Sequence, residues 1–101
     1  MTVRHVFSWR VAEGHSGDKV IELLNTLPAQ LPQVTGWEVG QHKGDPGDNG
    51  APWDGVLISD FDSWEALDSY SNDPKHLAVV EQLMPMFDDR AVVDFERVDH
   101  S

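Results

Sequence analysis

Asn72-Asp73-Pro74 limits the fold of this chain more than any other three residues. A proline cannot continue a helix that runs into it, because its ring clashes with the preceding turn and it has no N–H to donate. It starts a helix well, since the first helical N–H lacks a partner anyway, and an aspartate before it supplies the cap. The triplet therefore closes one helical pattern, opens another and forces a corner between them. Upstream, Asp62-Ser63-Trp64-Glu65 is a helix start in which Asp62 or Ser63 caps and Glu65 takes the acid position of a capping box. Trp64, Leu67 and Tyr70 then line one side. Downstream, His76, Val80, Leu83 and Phe87 recur at helical spacing, with Leu77 and Met84 widening the stripe. Pro85 sets the end of this second helix between Met84 and Phe87. Tyr70 and His76 are thereby expected close together at the corner, both facing the core.

Around this pair of helices the pattern has period two. Val3, His5, Phe7, Trp9 and Val11 alternate with Arg4, Val6, Ser8 and Arg10, which predicts a strand whose apolar face also carries His5. After the turn cluster Glu13–Gly17, with Ser16 or Asp18 as cap, Val20, Ile21, Leu24 and Leu27 make a helical stripe that Pro28 weakens and Pro32 ends. Val34–His42 predicts a second strand with Trp37 and Val39 on one side, and Gly36 and Gly40 suggest bulges or close packing. Asp54–Asp62 predicts a third, whose unbroken Val56-Leu57-Ile58 asks for cover on both faces. Arg90–Val98 predicts the fourth. Between the second and third strands, Lys43–Pro52 is rich in Gly, Pro, Asp and Asn. As a calcium loop starting at Asp45 it would put Gly47 at position three and Val56 at position twelve, where oxygen ligands are required, so a flexible hairpin loop is expected instead.

The resulting order, βαββαβ with the second helix broken, predicts an α+β, ferredoxin-like antiparallel sheet with helices on one face, as a single domain over residues 1–101. One layer of helices leaves the other face bare. Val6, Val56, Ile58 and Val92 are expected there, an apolar patch that a homodimer packing sheet on sheet would cover.

Composition removes several function classes. The net charge of −11 is concentrated in the second half, where twelve acids face three bases, so nucleic acid and anionic membrane surfaces are disfavoured as partners. There is no cysteine, which excludes thiolate metal sites and a cysteine nucleophile; a cytoplasmic location is the natural expectation. His5, His15, His42, His76 and His100 show no metal-binding helical spacing, so no metal and no cofactor are expected. No phosphate loop, dinucleotide fingerprint or serine-hydrolase elbow is present.

The segments RHVFSWRVAEG, TGWEVG, WDGVLISDFDSWEALDSYSNDPKH and AVVDFE, in this order and with Tyr70, Pro74 and His76 at the corner, resemble the stress-responsive A/B barrel domain family. The resemblance implies a homodimeric α+β barrel. It also implies kinship with olivetolic acid cyclase, a cofactor-free polyketide cyclase of that family. By resemblance, His76 would be a general base in an aldol-type ring closure, Tyr70 a hydrogen-bond donor to the substrate carbonyl, and His5 a pocket-lining histidine. Phe7, Trp9, Trp37, Leu57 and Arg90 are expected to line the same ligand pocket. Arg90 and Asn25 replace apolar and aromatic pocket residues of the cyclase, so a differently shaped cavity and a different ligand are expected. A histidine in the first turn of a helix feels the positive end of the dipole, which favours its neutral, basic form. Two readings of the corner stay open: catalysis or ligand binding, and a purely structural pair that satisfies buried polar atoms and locks the kink.

Overall fold

Alternating side chains on the first strand divide the molecule into two unequal faces. In the computed structural model, which describes residues 1–98, β1 (Val3–Val11) turns Val3 and Trp9 into the core and Arg4, Val6, Ser8 and Arg10 outward. It is followed by α1 (Gly17–Leu24), a short 3-10 turn (Pro28–Gln30), β2 (Val34–Gln41) and β3 (Gly55–Phe61). Then come α2 (Trp64–Asn72), α3 (Pro74–Leu83), a second 3-10 turn (Met84–Met86) and β4 (Phe87–Glu96). The sheet order is β2-β3-β1-β4, antiparallel at every described pairing, with the helices on one face. The expected α+β, ferredoxin-like fold is therefore present. No helix among the described residues is long and apolar enough to cross a membrane. His100 lies outside the described residues.

The caps decide where the helices begin. Ser16 accepts from the Lys19 N–H, Ser63 from the Ala66 N–H at 3.0 Å, and Asp73 from the Lys75 N–H at 2.9 Å. With Ser63 as cap, Glu65 stands one residue too early to close a capping box; it serves only as an acid in the first turn, favourable to the helix dipole. Proline ends α1 earlier than its apolar stripe does. Leu27 and Leu31 are still buried, but on either side of a 3-10 turn, at whose first position Pro28 needs no N–H.

Helix-facing residues form rows across the sheet. One row is Trp37, Ser59, His5 and Asp94; the next is Val39, Leu57, Phe7 and Val92. The core lies over β3 and β1, built from Val3, Trp9, Leu57 and Phe61 below and Val20, Leu24, Leu67, Tyr70, Val79 and Leu83 above. Three expectations on sidedness need correcting. Val92 opposes Phe7 and so faces the helices; Val93 and Phe95, opposite Val6 and Arg4, occupy the open face in its place. Leu77 and Met84 are exposed, and the buried stripe of α3 runs through Val79 and Leu83. Trp64, expected inward, is likewise exposed, and its indole N–H donates to Glu96 at 2.8 Å.

Close packing by glycine occurs at two points. The indole of Trp9 lies so near Gly55 that an added Cβ would sit 2.2 Å from the ring. At Gly36, where the β2–β3 register shifts, the Asp60 carboxylate fills the space a Cβ would take. Gly40, the other glycine expected to be crowded, has nothing near it.

Candidate functional site

The corner is built by local chemistry. α2 stops at Asn72 because Pro74 follows, and Asp73, extended at φ −66° and ψ 131°, caps α3. This places Tyr70 in the last turn of α2 and His76 in the first turn of α3, with ring centroids 4.3 Å apart and planes inclined by 42°. The His76 Nδ1 lies 3.1 Å from the carbonyl oxygen of Ser71. A carbonyl only accepts, so Nδ1 carries the proton and donates it, leaving Nε2 with a free lone pair. Burial holds the His76 imidazole below its ordinary pKa, the charge of His5 acts in the same direction, and the Ser71 carbonyl opposes them. Burial, rather than the helix N-terminus invoked from the sequence, is the leading cause.

Tyr70 is 2% exposed, packed against Phe61 at 4.9 Å and edge-on to Trp37 at 6.5 Å. Burial pushes its phenol well above the ordinary value, so the hydroxyl keeps its proton and acts as a donor. Among the described residues that hydroxyl has no hydrogen-bond partner. It borders a cavity of about 470 Å³ between the sheet and α3, whose wall also includes His76, His5, Phe7, Leu57 and Arg90. Leu24, Leu27, Val80, Leu83, Met84, Phe87 and Val92 complete the lining. The wall is predominantly apolar with a few convergent polar groups, the make-up of a small-molecule site.

Three of the polar groups have defined partners. His5 Nδ1 is hydrogen-bonded to the carboxylate of Asp94, its neighbour across the strands. An aspartate so placed orients the ring and fixes which nitrogen faces away. Nothing local in the sequence marks this contact, which joins residues 89 apart; only the β1–β4 register reveals it. The Arg90 guanidinium reaches the sulfur of Met84. Among the described residues no cluster of three or more His, Asp or Glu is placed to hold a metal ion.

Trp9 and Trp37, expected in the pocket, lie outside its lining. Trp9 is 1% exposed and fills the core above Gly55, in contact with Phe7 and Phe87. Trp37 donates its indole N–H to Asn25 at 3.0 Å, and its ring backs Tyr70. Trp37 stands behind Tyr70, where α1 packs over β2, and Trp9 is held over β3 by its packing on Gly55. A second cavity of about 540 Å³ lies against the open face beneath the 42–53 loop, but its one titratable group, His42, is tied to the carbonyl of Gly44.

The fold recurs in solved structures. A dimeric ferredoxin-like protein of unknown function from Thermobifida fusca is 28% identical, with a TM-score of 0.76 over 94% of this chain and 90% of its own. An Arabidopsis thaliana protein is 22% identical, with a TM-score of 0.84 over 98% of both chains. The hydroxynitrile lyase of Passiflora edulis is 20% identical, with a TM-score of 0.85 over 99% of this chain and 95% of its own. No curated protein sequence matches. The family model described as the stress responsive A/B barrel domain matches residues 3–97. With that match running from the first residue of β1 to the residue after β4, the chain belongs to the stress responsive A/B barrel domain family.

Proposed function

We propose that this protein is a homodimeric A/B barrel that binds a small apolar or phenolic molecule between sheet and helices. One observation carries the ligand-binding reading: a tyrosine hydroxyl without a partner among the described residues and a neutral imidazole face the same apolar cavity. A purely structural pair would use the hydroxyl in a hydrogen bond inside the protein, whereas here it is left accessible at the cavity wall. The dimer is supported by the open face, where Val6, Val56, Ile58, Val93 and Phe95 lie together, and by the dimeric state described for the Thermobifida fusca relative. Sedimentation should give a dimer that Val93→Asp converts to monomer; a wild-type monomer at micromolar concentration would refute this half of the proposal.

A second reading, a cofactor-independent cyclase or lyase, is favoured by the tautomer of His76. Its free Nε2 could take a proton from the carbon next to a carbonyl while Tyr70 donates a hydrogen bond to the enolate oxygen. Attack of that carbon on a second carbonyl forms the new C–C bond, and the proton returns from His76 to the resulting alkoxide. No oxidant or metal enters the balance. The fold accommodates a lyase in the Passiflora edulis protein, though at 20% identity that likeness speaks for the fold alone. The test is a screen of short polyketide mimics and phenolic carbonyl compounds for turnover. His76→Ala should abolish any turnover found while circular dichroism stays unchanged; turnover that survives it would remove His76 from the chemistry.

A further inference from the structure

We propose that the ligand of this cavity is a carboxylic acid with an apolar body, an aryl or alkyl acid, whose carboxylate is held by Arg90. The inference rests on the ligand-binding reading above and adds the chemical class. Of the seven Lys and Arg, Arg4, Arg10 and Lys19 are in ion pairs among the described residues, and of the other four only Arg90 lines the cavity. Arg4 pairs with Asp60, and Arg10 pairs with Asp89 while lying over the ring of Trp53. Arg90 is in no ion pair among the described residues; its guanidinium meets only the Met84 thioether, a weak acceptor. Its neighbour Asp89 cannot serve, because it turns to the open face and pairs with Arg10.

The strand gives the site a polarity. Arg90, Val92 and Asp94 alternate on the helix-facing side of β4, so a cation and an anion stand about 13 Å apart with an apolar step between them. Asp94 is engaged by His5 and repels a second carboxylate from that end. An acid therefore enters with its carboxylate at Arg90, where the guanidinium fork matches it in two parallel bonds. Its apolar body lies along Phe7, Leu83 and Val92, and its far end meets the Tyr70 hydroxyl and His76 Nε2. A para-alkyl benzoate has the required length, and its methyl ester keeps the shape without the charge.

The test is calorimetric titration of the intact protein with 4-butylbenzoate and with methyl 4-butylbenzoate at low salt. Wild type should bind the acid roughly tenfold tighter than the ester, the increment of one charge-assisted contact. Arg90→Gln should bring the acid down to the affinity of the ester and leave the ester unchanged; Arg90 is exposed, so the variant folds. Equal binding of acid and ester by wild type, or a preference that survives Arg90→Gln, overturns the inference and leaves the ligand pocket standing. Binding of neither probe, with His5 and His76 signals also unmoved by neutral phenols, overturns both.

Discussion

The helix-facing side of the sheet is one continuous surface put to two uses. Over β3 it is closed: Phe61 and Ser59 are inaccessible and Leu57 is 2% exposed. Over β4 it is open: Val92 is 55% exposed, and Arg90 and Asp94 are reached by solvent. The difference follows from where the helices lie. α1 spans β2, the α2–α3 corner sits above β3 and β1, and β4 is exposed from Asp88 onward. Tyr70 and His76 stand at the boundary between these regions, held by the packed half and turned toward the open one. Stability and ligand chemistry are thus assigned to different strands of the same face.

The packed half should respond most to truncation. Phe61→Ala is expected to cost about 3–5 kcal/mol in denaturant unfolding, while Val92→Ala should cost less than about 1 kcal/mol. Comparable losses at the two positions would erase the distinction. Gly55→Val should be nearly as damaging, about 1–3 kcal/mol or more, because its side chain would overlap the Trp9 indole. A thermal midpoint unchanged by that variant would show that the Trp9 contact is not rigid.

Asp73→Ala removes the cap of α3 and should cost about 1 kcal/mol. It should also loosen His76, seen as weaker amide protection through the first turn of α3; unchanged protection would mean that Pro74 alone sets the corner.

The smallest effect is one of pH. His76 has a lower pKa folded than unfolded, so the unfolded state binds protons first as pH falls. Its contribution to stability is complete above pH 6.5, the unfolded value, and is lost as pH falls through the folded value. His76→Gln should flatten this slope, measured as the denaturation midpoint between about pH 5 and 7. A wild-type slope that persists in the variant would assign it to another group. Tyr70 acts with the opposite sign: its raised phenol pKa adds stability below pH 10 that disappears as pH climbs above it.

What was legible in the sequence is what local chemistry decides. The corner at Asp73-Pro74 with its cap, the order of elements along the chain and the proximity of Tyr70 to His76 all follow from residues a few positions apart. The sidedness of β4 does not. Val92, Val93 and Phe95 put apolar residues on both of its faces, so alternation gives no preference and only pairing with β1 decides. Nor does local sequence distinguish Trp9, buried beneath helices, from Phe7, two residues along the same face and in the cavity wall. That depends on which side chains pack overhead, a tertiary fact. The His5–Asp94 contact escaped for the same reason, although the alternation Arg90, Val92, Asp94 was a usable signal that polar groups line one side of the last strand.

The central claim is that the boundary between the packed and open halves is a ligand site. It is tested most directly by following the imidazole resonances of His5 and His76 while phenolic acids and short polyketide mimics are added. The account predicts that a ligand shifts these two rings selectively, leaving His15 and His42 in place, and that Tyr70→Phe weakens the response while the fold is retained. Resonances of His5 and His76 that no ligand moves, in a protein whose dimer stays intact, would contradict it and leave the corner a structural joint.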